Sequence, residues 1–106
     1  MTSQPHEHYL KIKERHGELI AAVEALGTAA RSAGPLDAKT GHLIQLAAAA
    51  GIGSHGSTRS HAKRALESGA RPEEVRHAVI LLTSTIGFPA VAAALAWVED
   101  VIEQQQ

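Results

Sequence analysis

The 106-residue sequence predicts an all-α protein of about five helices, and three observations carry that reading. Apolar residues recur at steps of four and three over long stretches, which is the spacing of one helix face. No segment alternates apolar and polar residues as a half-buried strand would. The breaks between periodic stretches fall at glycine and proline, the residues that end helices.

The first helix is predicted from about Pro5 to Arg31. Ile12, His16, Leu19, Val23, Leu26 and Ala30 step by 4, 3, 4, 3, 4, while Lys11, Lys13, Glu14, Arg15 and Glu18 fall on the opposite side. Residues 1–5 read as a frayed tail. Gly34-Pro35 closes the helix, because glycine suits a C-terminal cap and proline cannot continue the ladder. Asp37 is the expected N-cap of a second helix running to about Ala50, with Leu43, Ala47 and Ala50 on its inner face. The run Ala47–Ala50 has no bulk, so a neighbouring backbone can approach closely. Gly51-Ile52-Gly53 then breaks the chain.

A third helix is expected from near Ser54 to Gly69, lined by Ala62, Ala65, Leu66 and Gly69 and solvated at Lys63, Arg64 and Glu67. Pro72 suits the first turn of a fourth, where Glu73 and Glu74 complement the helix dipole. Val75, Val79, Leu82 and Ile86 again step by 4, 3, 4. Gly87-Phe88-Pro89 interrupts, and Pro89 opens a fifth helix striped by Val91, Leu95, Val98 and Ile102. Trp97 and Val101 widen that stripe, which suits either a second subunit or a broad intramolecular core.

Composition sets the outer limits. The length fits one domain, 1–106, and a bundle this small often gains burial by self-association. Apolar residues make up 44% of the chain but aromatics only 3%, so the core is aliphatic and alanine-rich. The net charge of −1 and the lack of a basic stripe argue against nucleic acid as a partner. No apolar run reaches the roughly 18 residues a membrane span needs. The polar N-terminus has no signal-peptide core, which leads to the expectation of a soluble cytoplasmic protein. There is no cysteine to report a redox compartment, and no cofactor motif is recognisable.

The chemistry-bearing stretch is Gly53-Ser54-His55-Gly56-Ser57-Thr58-Arg59-Ser60-His61. Ser54 and Ser57 are three apart at a helix start, which suits capping. Ser57 and His61 are four apart and share a helix face, as a nucleophile and its base would. No orienting carboxylate or oxyanion hole accompanies them, so a serine hydrolase is disfavoured. His42, His55 and His61 together raise a zinc hypothesis, although their spacing matches no standard motif, and no metal is expected. His77 borders an apolar stripe and reads as a core-edge or contact residue. His16 reads as structural, and His6 and His8 as solvated. Arg59 and Arg64 could attract a carboxylate, against the ordinary expectation of solvated arginines.

Leu36-Asp37-Ala38-Lys39-Thr40, the alanine-rich helix, the polar break, His61-Ala62-Lys63-Arg64-Ala65-Leu66-Glu67-Ser68-Gly69-Ala70, Glu73-Glu74-Val75 and Gly87-Phe88-Pro89-Ala90 occur in that order. In this order and spacing the chain resembles the carboxymuconolactone decarboxylase family, within the alkylhydroperoxidase D-like superfamily, over roughly residues 8–103. The resemblance implies a helical fold assembling as a homo-oligomer, trimer or hexamer, with a site between helices near subunit contacts. The peroxidase branch carries a glutamate, a Cys-x-x-Cys pair and a histidine four residues later. The matching positions here hold His42, Ser54, Ser57 and His61, so only the histidine is kept. The decarboxylase branch carries charged residues where this chain has Ser54, His55, Gly56 and Ser57.

The cysteine pair works because a helix N-terminus and a nearby base stabilise a thiolate. Serine stays protonated and forms no disulfide, so thiol peroxidase activity is not expected; an alkylhydroperoxidase D-type peroxidase or disulfide reductase is the alternative if Ser54 and Ser57 stand in place of cysteines. Two other activities remain open on the resemblance. One is acid–base decarboxylation of a small carboxylated lactone or related acid, with His61 central and His42, Ser54, His55 and Ser57 around it. The other is a non-catalytic oligomer that binds a ligand, in which His61 is satisfied by a backbone carbonyl.

Overall fold

The computed structural model describes residues 5–105, and every regular element among them is helical. Of the expected tail at residues 1–5, residues 1–4 lie outside the described residues and Pro5 begins the first helix. The chain divides into two compact units, Met1–Leu36 and Asp37–Gln106.

The first unit holds α1 (Pro5–Arg15) and α2 (Gly17–Ser32), where the sequence predicts one continuous helix. The break falls at His16, with φ −134° and ψ 57°, immediately before Gly17. Glycine is costly in a helix interior, so Arg15-His16-Gly17 is a weak point of the periodic run. In a straight helix, Tyr9 and Glu24 would lie about 22 Å apart along the axis. Instead the Tyr9 hydroxyl donates to the Glu24 carboxylate, and Lys13 Nζ lies 3.4 Å from the same oxygen. The chain therefore folds back at His16. His16 is exposed, not seated on a seam. Leu19, Val23 and Leu26 are 58%, 51% and 70% exposed, and Ile20 is the buried residue of α2. α2 ends at Ser32, with Ala33 as its cap, two residues before Pro35.

The second unit contains α3 (Ala38–Gly51), α4 (His55–Glu67), α5 (Pro72–Ile80), α6 (Thr83–Ile86) and α7 (Phe88–Gln104). Asp37 caps α3 as expected, its carboxylate accepting from the Thr40 amide at 2.8 Å. That bond, more than anything else, holds the Asp37 carboxyl below its ordinary pKa. The inner face of α3 is rotated from the expected one. His42, Leu46, Ala49 and Ala50 are buried, while Leu43 and Ala47 are only half-buried.

α3 and α4 form an antiparallel hairpin. Gly53 turns it with φ 72°, a conformation that glycine adopts without a Cβ clash. The Ser54 amide then donates to the Ala49 carbonyl at 2.9 Å. α4 stops at Glu67, so Gly69 lies beyond it, but Ala62 and Ala65 are fully buried as expected. Here the small side chains of Ala49, Ala50, Ala62 and Ala65 let helices pack closely with no aromatic filler.

The expected fourth helix divides in two. α5 ends at Ile80, whose carbonyl accepts from the Thr83 hydroxyl at 2.7 Å, and a single turn, α6, follows. Leu82 and Ile86 nevertheless pack on the core beside Val75 and Val79. Gly87, with φ 91°, leads into α7, where Val91, Ala94, Val98, Val101 and Ile102 are buried. Val101 is thus covered within a single chain, and Trp97 packs partly buried against the same cluster. Between helices, Lys39 meets Glu74 at 3.1 Å, Arg59 meets Asp100 at 3.2 Å, and Arg76 pairs with Glu99. Among the described residues, no helix is long and apolar enough to cross a membrane.

Candidate functional site

Two histidines from different helices meet at the centre of the α3–α4 hairpin. His42 projects from the buried face of α3 and retains 7% exposure; His61 on α4 is half-buried. Their Nδ1 atoms are 3.4 Å apart, and the rings are tilted by 32° with centroids 5.6 Å apart. A hydrogen bond between two Nδ1 atoms needs a proton on one and a lone pair on the other, so the contact couples the two tautomers. Two Nδ1–H groups would set two donors face to face, and two imidazolium rings would set like charges side by side. The contact therefore needs Nδ1–H on one ring and a bare Nδ1 on the other.

About two turns nearer the hairpin tip, the N-terminus of α4 is tied down by its own side chains. Ser54 is the N-cap, its hydroxyl accepting from the Ser57 amide at 3.4 Å. Thr58 is wholly buried, and its hydroxyl donates to the Ser54 carbonyl at 2.6 Å. Sequence reasoning passed over Thr58, although its position four residues after the cap is where a threonine hydroxyl bonds back along a helix. Ser57 is exposed, and Ser54 is half-buried.

His55 goes elsewhere. Its ring stacks on Trp97 of α7, with centroids 4.7 Å apart and planes 22° from parallel. Arg59 is only 15% exposed at its side chain and is engaged by Asp100, whereas Arg64 is exposed. His77 and His8 are exposed, and the side chain of His6 lies outside the described residues. Among the described residues, no group of three or more His, Asp or Glu side chains is placed to hold a metal ion.

Of the five candidates, the fold brings His42 and His61 into contact and sets Ser54 and Ser57 at the start of the helix that carries His61. His55 is held on the aromatic ring of α7. A second polar group was also missed from sequence. The Gln45 Oε1 is buried and has no hydrogen-bond partner among the described residues.

The described residues thus form a small all-helical protein in which two histidines meet across a helix hairpin. The comparisons agree with that description and narrow it. The model of the carboxymuconolactone decarboxylase family matches residues 17–100, from the start of α2 into α7. The chain belongs to the carboxymuconolactone decarboxylase family. No curated protein and no solved structure matches it.

Proposed function

We propose that the protein is a cofactor-free acid–base catalyst that decarboxylates a small carboxylated lactone or related acid in the cytoplasm. The observation that supports this is the 3.4 Å contact between His42 and His61, the two imidazoles of the α3–α4 hairpin. In this reaction the bond from the carboxylate carbon to the ring breaks heterolytically. Carbon dioxide leaves, and the electron pair stays on the substrate carbon, spread onto a neighbouring carbonyl oxygen. The His61 imidazolium delivers its proton to that carbon, and water restores the proton after product leaves. His42 fixes the tautomer of His61 by sharing the Nδ1 proton. Its burial limits how freely the pair exchanges that proton with solvent. Ser54 and Ser57 are the hydroxyls within the same helix start that can orient a carboxylate.

We also propose that the protein works as a homo-oligomer, trimer or hexamer, with Leu19, Val23 and Leu26 covered by other copies. Those side chains form an apolar stripe exposed in the single chain. Stripes of this kind are commonly interaction surfaces.

Carbon dioxide release from small carboxylated lactones tests the reaction. His61→Ala is expected to lower kcat by about 100-fold or more while preserving the helical circular dichroism. An unchanged rate removes His61 from the mechanism, and no carbon dioxide release by the wild type leaves the family scaffold as a ligand-binding oligomer.

A second reading rests on the N-cap position of Ser54 and on Ser57 one turn into the same helix. This is the placement in which a cysteine pair has its thiolate stabilised. As written, the chain cannot act as a thiol peroxidase or disulfide reductase. Ser54→Cys with Ser57→Cys is expected to form a disulfide and gain peroxide turnover if the alkylhydroperoxidase D-type machinery is otherwise intact.

A further inference from the structure

α4 carries its polar side chains on two faces. Ser54, Ser57 and His61, at i, i+3 and i+7, share one of them. His55 and Arg59, four apart, share the other, and both meet α7. The His55 ring stacks on Trp97 with centroids 4.7 Å apart, and Arg59 Nη1 lies 3.2 Å from the Asp100 carboxylate. Six residues separate His55 from His61, which sets the two about a third of a turn apart around the helix. His55 therefore stands outside the histidine pair, on the side of α4 that grips the neighbouring helix.

The turn that His55 opens is weakly held by its own residues. His55, Gly56 and Ser57 are all exposed, and the first buried side chain of α4 is that of Thr58. Gly56 brings the low helix propensity of glycine. The capping bond from the Ser57 amide to the Ser54 hydroxyl is long at 3.4 Å. Against these weaknesses, the stack of His55 on Trp97 ties the turn to a helix that is anchored in the core by Val91, Ala94, Val98 and Ile102.

We propose that His55 is a positioning residue, whose stack on Trp97 latches the first turn of α4 to α7 and so holds the Ser54 and Ser57 hydroxyls where a carboxylate is received. The consequence for the reaction rests on the reading of those hydroxyls under the proposed function; the latch itself does not. A latch of this kind acts on binding, because the hydroxyls orient the carboxylate, and leaves proton delivery by His61 as it is.

The test follows amide hydrogen exchange by NMR in the full-length wild type, His55→Ala and His55→Phe. The Ser57 amide donates to the Ser54 hydroxyl and the Thr58 amide to the Ser54 carbonyl at 3.0 Å, so exchange at these two reports opening of the first turn. His55→Ala is expected to speed both by about fivefold, the worth of one aromatic contact, while the Ala65 and Leu66 amides at the far end of α4 keep their rates. His55→Phe retains a stacking ring and is expected to exchange as the wild type does. Trp97 is the one tryptophan of the chain, and its emission is expected to move to longer wavelength in His55→Ala alone. In carbon dioxide release from small carboxylated lactones, His55→Ala is expected to raise KM about fivefold at unchanged kcat, and His55→Phe to restore it.

Unchanged exchange at Ser57 and Thr58 in His55→Ala overturns the proposal, as does faster exchange that His55→Phe does not reverse. A fall in kcat at constant KM also overturns it, since His55 would then take part in the proton transfer. If exchange behaves as expected but no lactone releases carbon dioxide even with the wild type, the latch stands and the decarboxylase reading falls.

Discussion

The two units of this chain have similar helical periodicity and very different interiors. In residues 37–106, the apolar stripes of α3, α4, α5 and α7 close on one another, and Leu46, Ala62, Ala65, Val75, Val79, Ala94 and Val98 are fully buried. In residues 5–36, the stripe is as regular in sequence, yet Leu19, Val23 and Leu26 are more than half exposed. Periodicity identifies the face that seeks cover; it does not say what covers it. The chemistry-bearing groups lie in the unit that closes its own core, which suits a site that must hold two imidazoles at fixed separation.

The largest expected effect breaks the comparison at its open side. Leu19→Asp combined with Leu26→Asp places charge on the exposed stripe. It is expected to reduce the particle measured by light scattering to a monomer while leaving the Trp97 fluorescence of the second unit unchanged. A wild type that is already monomeric, or a double variant that stays assembled, would show that other copies do not cover this stripe.

A pair of truncations sharpens the contrast in energy. Leu46→Ala opens space at a fully buried position and is expected to cost about 2–5 kcal/mol in denaturant unfolding. Leu26→Ala removes a side chain that is 70% exposed, and it should cost less than about 0.5 kcal/mol in the monomeric background. Equal losses would mean that the two units are not packed as differently as described.

A smaller effect is expected at the helix start. Ser54→Ala removes the cap of α4 and is expected to cost about 0.5–1 kcal/mol, since its bond to the Ser57 amide is long at 3.4 Å. Denaturant unfolding measures it, and a loss above about 2 kcal/mol would assign Ser54 more than a capping role.

Acid has the mildest effect. The Arg71 amide, the Lys39 ammonium and their charges hold the Glu74 carboxyl below its ordinary pKa. Arg76 does the same for Glu99, and the Thr40 amide for Asp37. A carboxyl whose folded pKa is depressed stabilises the fold above the unfolded carboxylate value, about 4. That stabilisation is lost as pH falls through the lower, folded value. The melting temperature should therefore drop below about pH 4, and Glu74→Gln should flatten the drop. All these carboxyls lie in the second unit, so a melting curve of full-length protein that shows no acid dependence would contradict the assignment.

Much of the second unit was legible in the sequence. Asp37, Ser54 and Pro72 announce helix starts by their side-chain chemistry, and Gly53 and Gly87 mark turns with positive φ. The all-helical architecture followed from spacing alone. What was not legible depends on rotation and on tertiary competition. The 3.6-residue period leaves the inner face of α3 uncertain by part of a turn, which is why the pattern marks Leu43, Ala47 and Ala50 where the fold buries His42, Leu46, Ala49 and Ala50. The break at His16 pits a weak Arg15-His16-Gly17 step against an unbroken apolar stripe, and the stripe was the louder signal. The division of α5 from α6 turns on the Thr83 hydroxyl bonding to Ile80, which the pattern Val75, Val79, Leu82, Ile86 conceals.

The site divides along the same lines. Ser54, Ser57 and His61 share a short stretch, and their spacing alone put them on one helix start. That His42 lies near His61 was implied by the family resemblance and by the zinc hypothesis, whereas their meeting across a hairpin was not legible. Nothing local in the sequence indicates that His55 stacks on Trp97, because the two are brought together from distant parts of the chain. Gln45 and Thr58 carry no sequence signal beyond their register, and they emerge only once burial and bonding are known.

The central claim is that His42 and His61 act as one proton-holding unit, and imidazole NMR titration of the full-length protein tests it most directly. The account predicts that the two rings titrate as a coupled pair, in steps that both signals share, and that His42→Gln moves the midpoint of His61. Two independent single-step titrations, with that of His61 unmoved by the loss of His42, would contradict it.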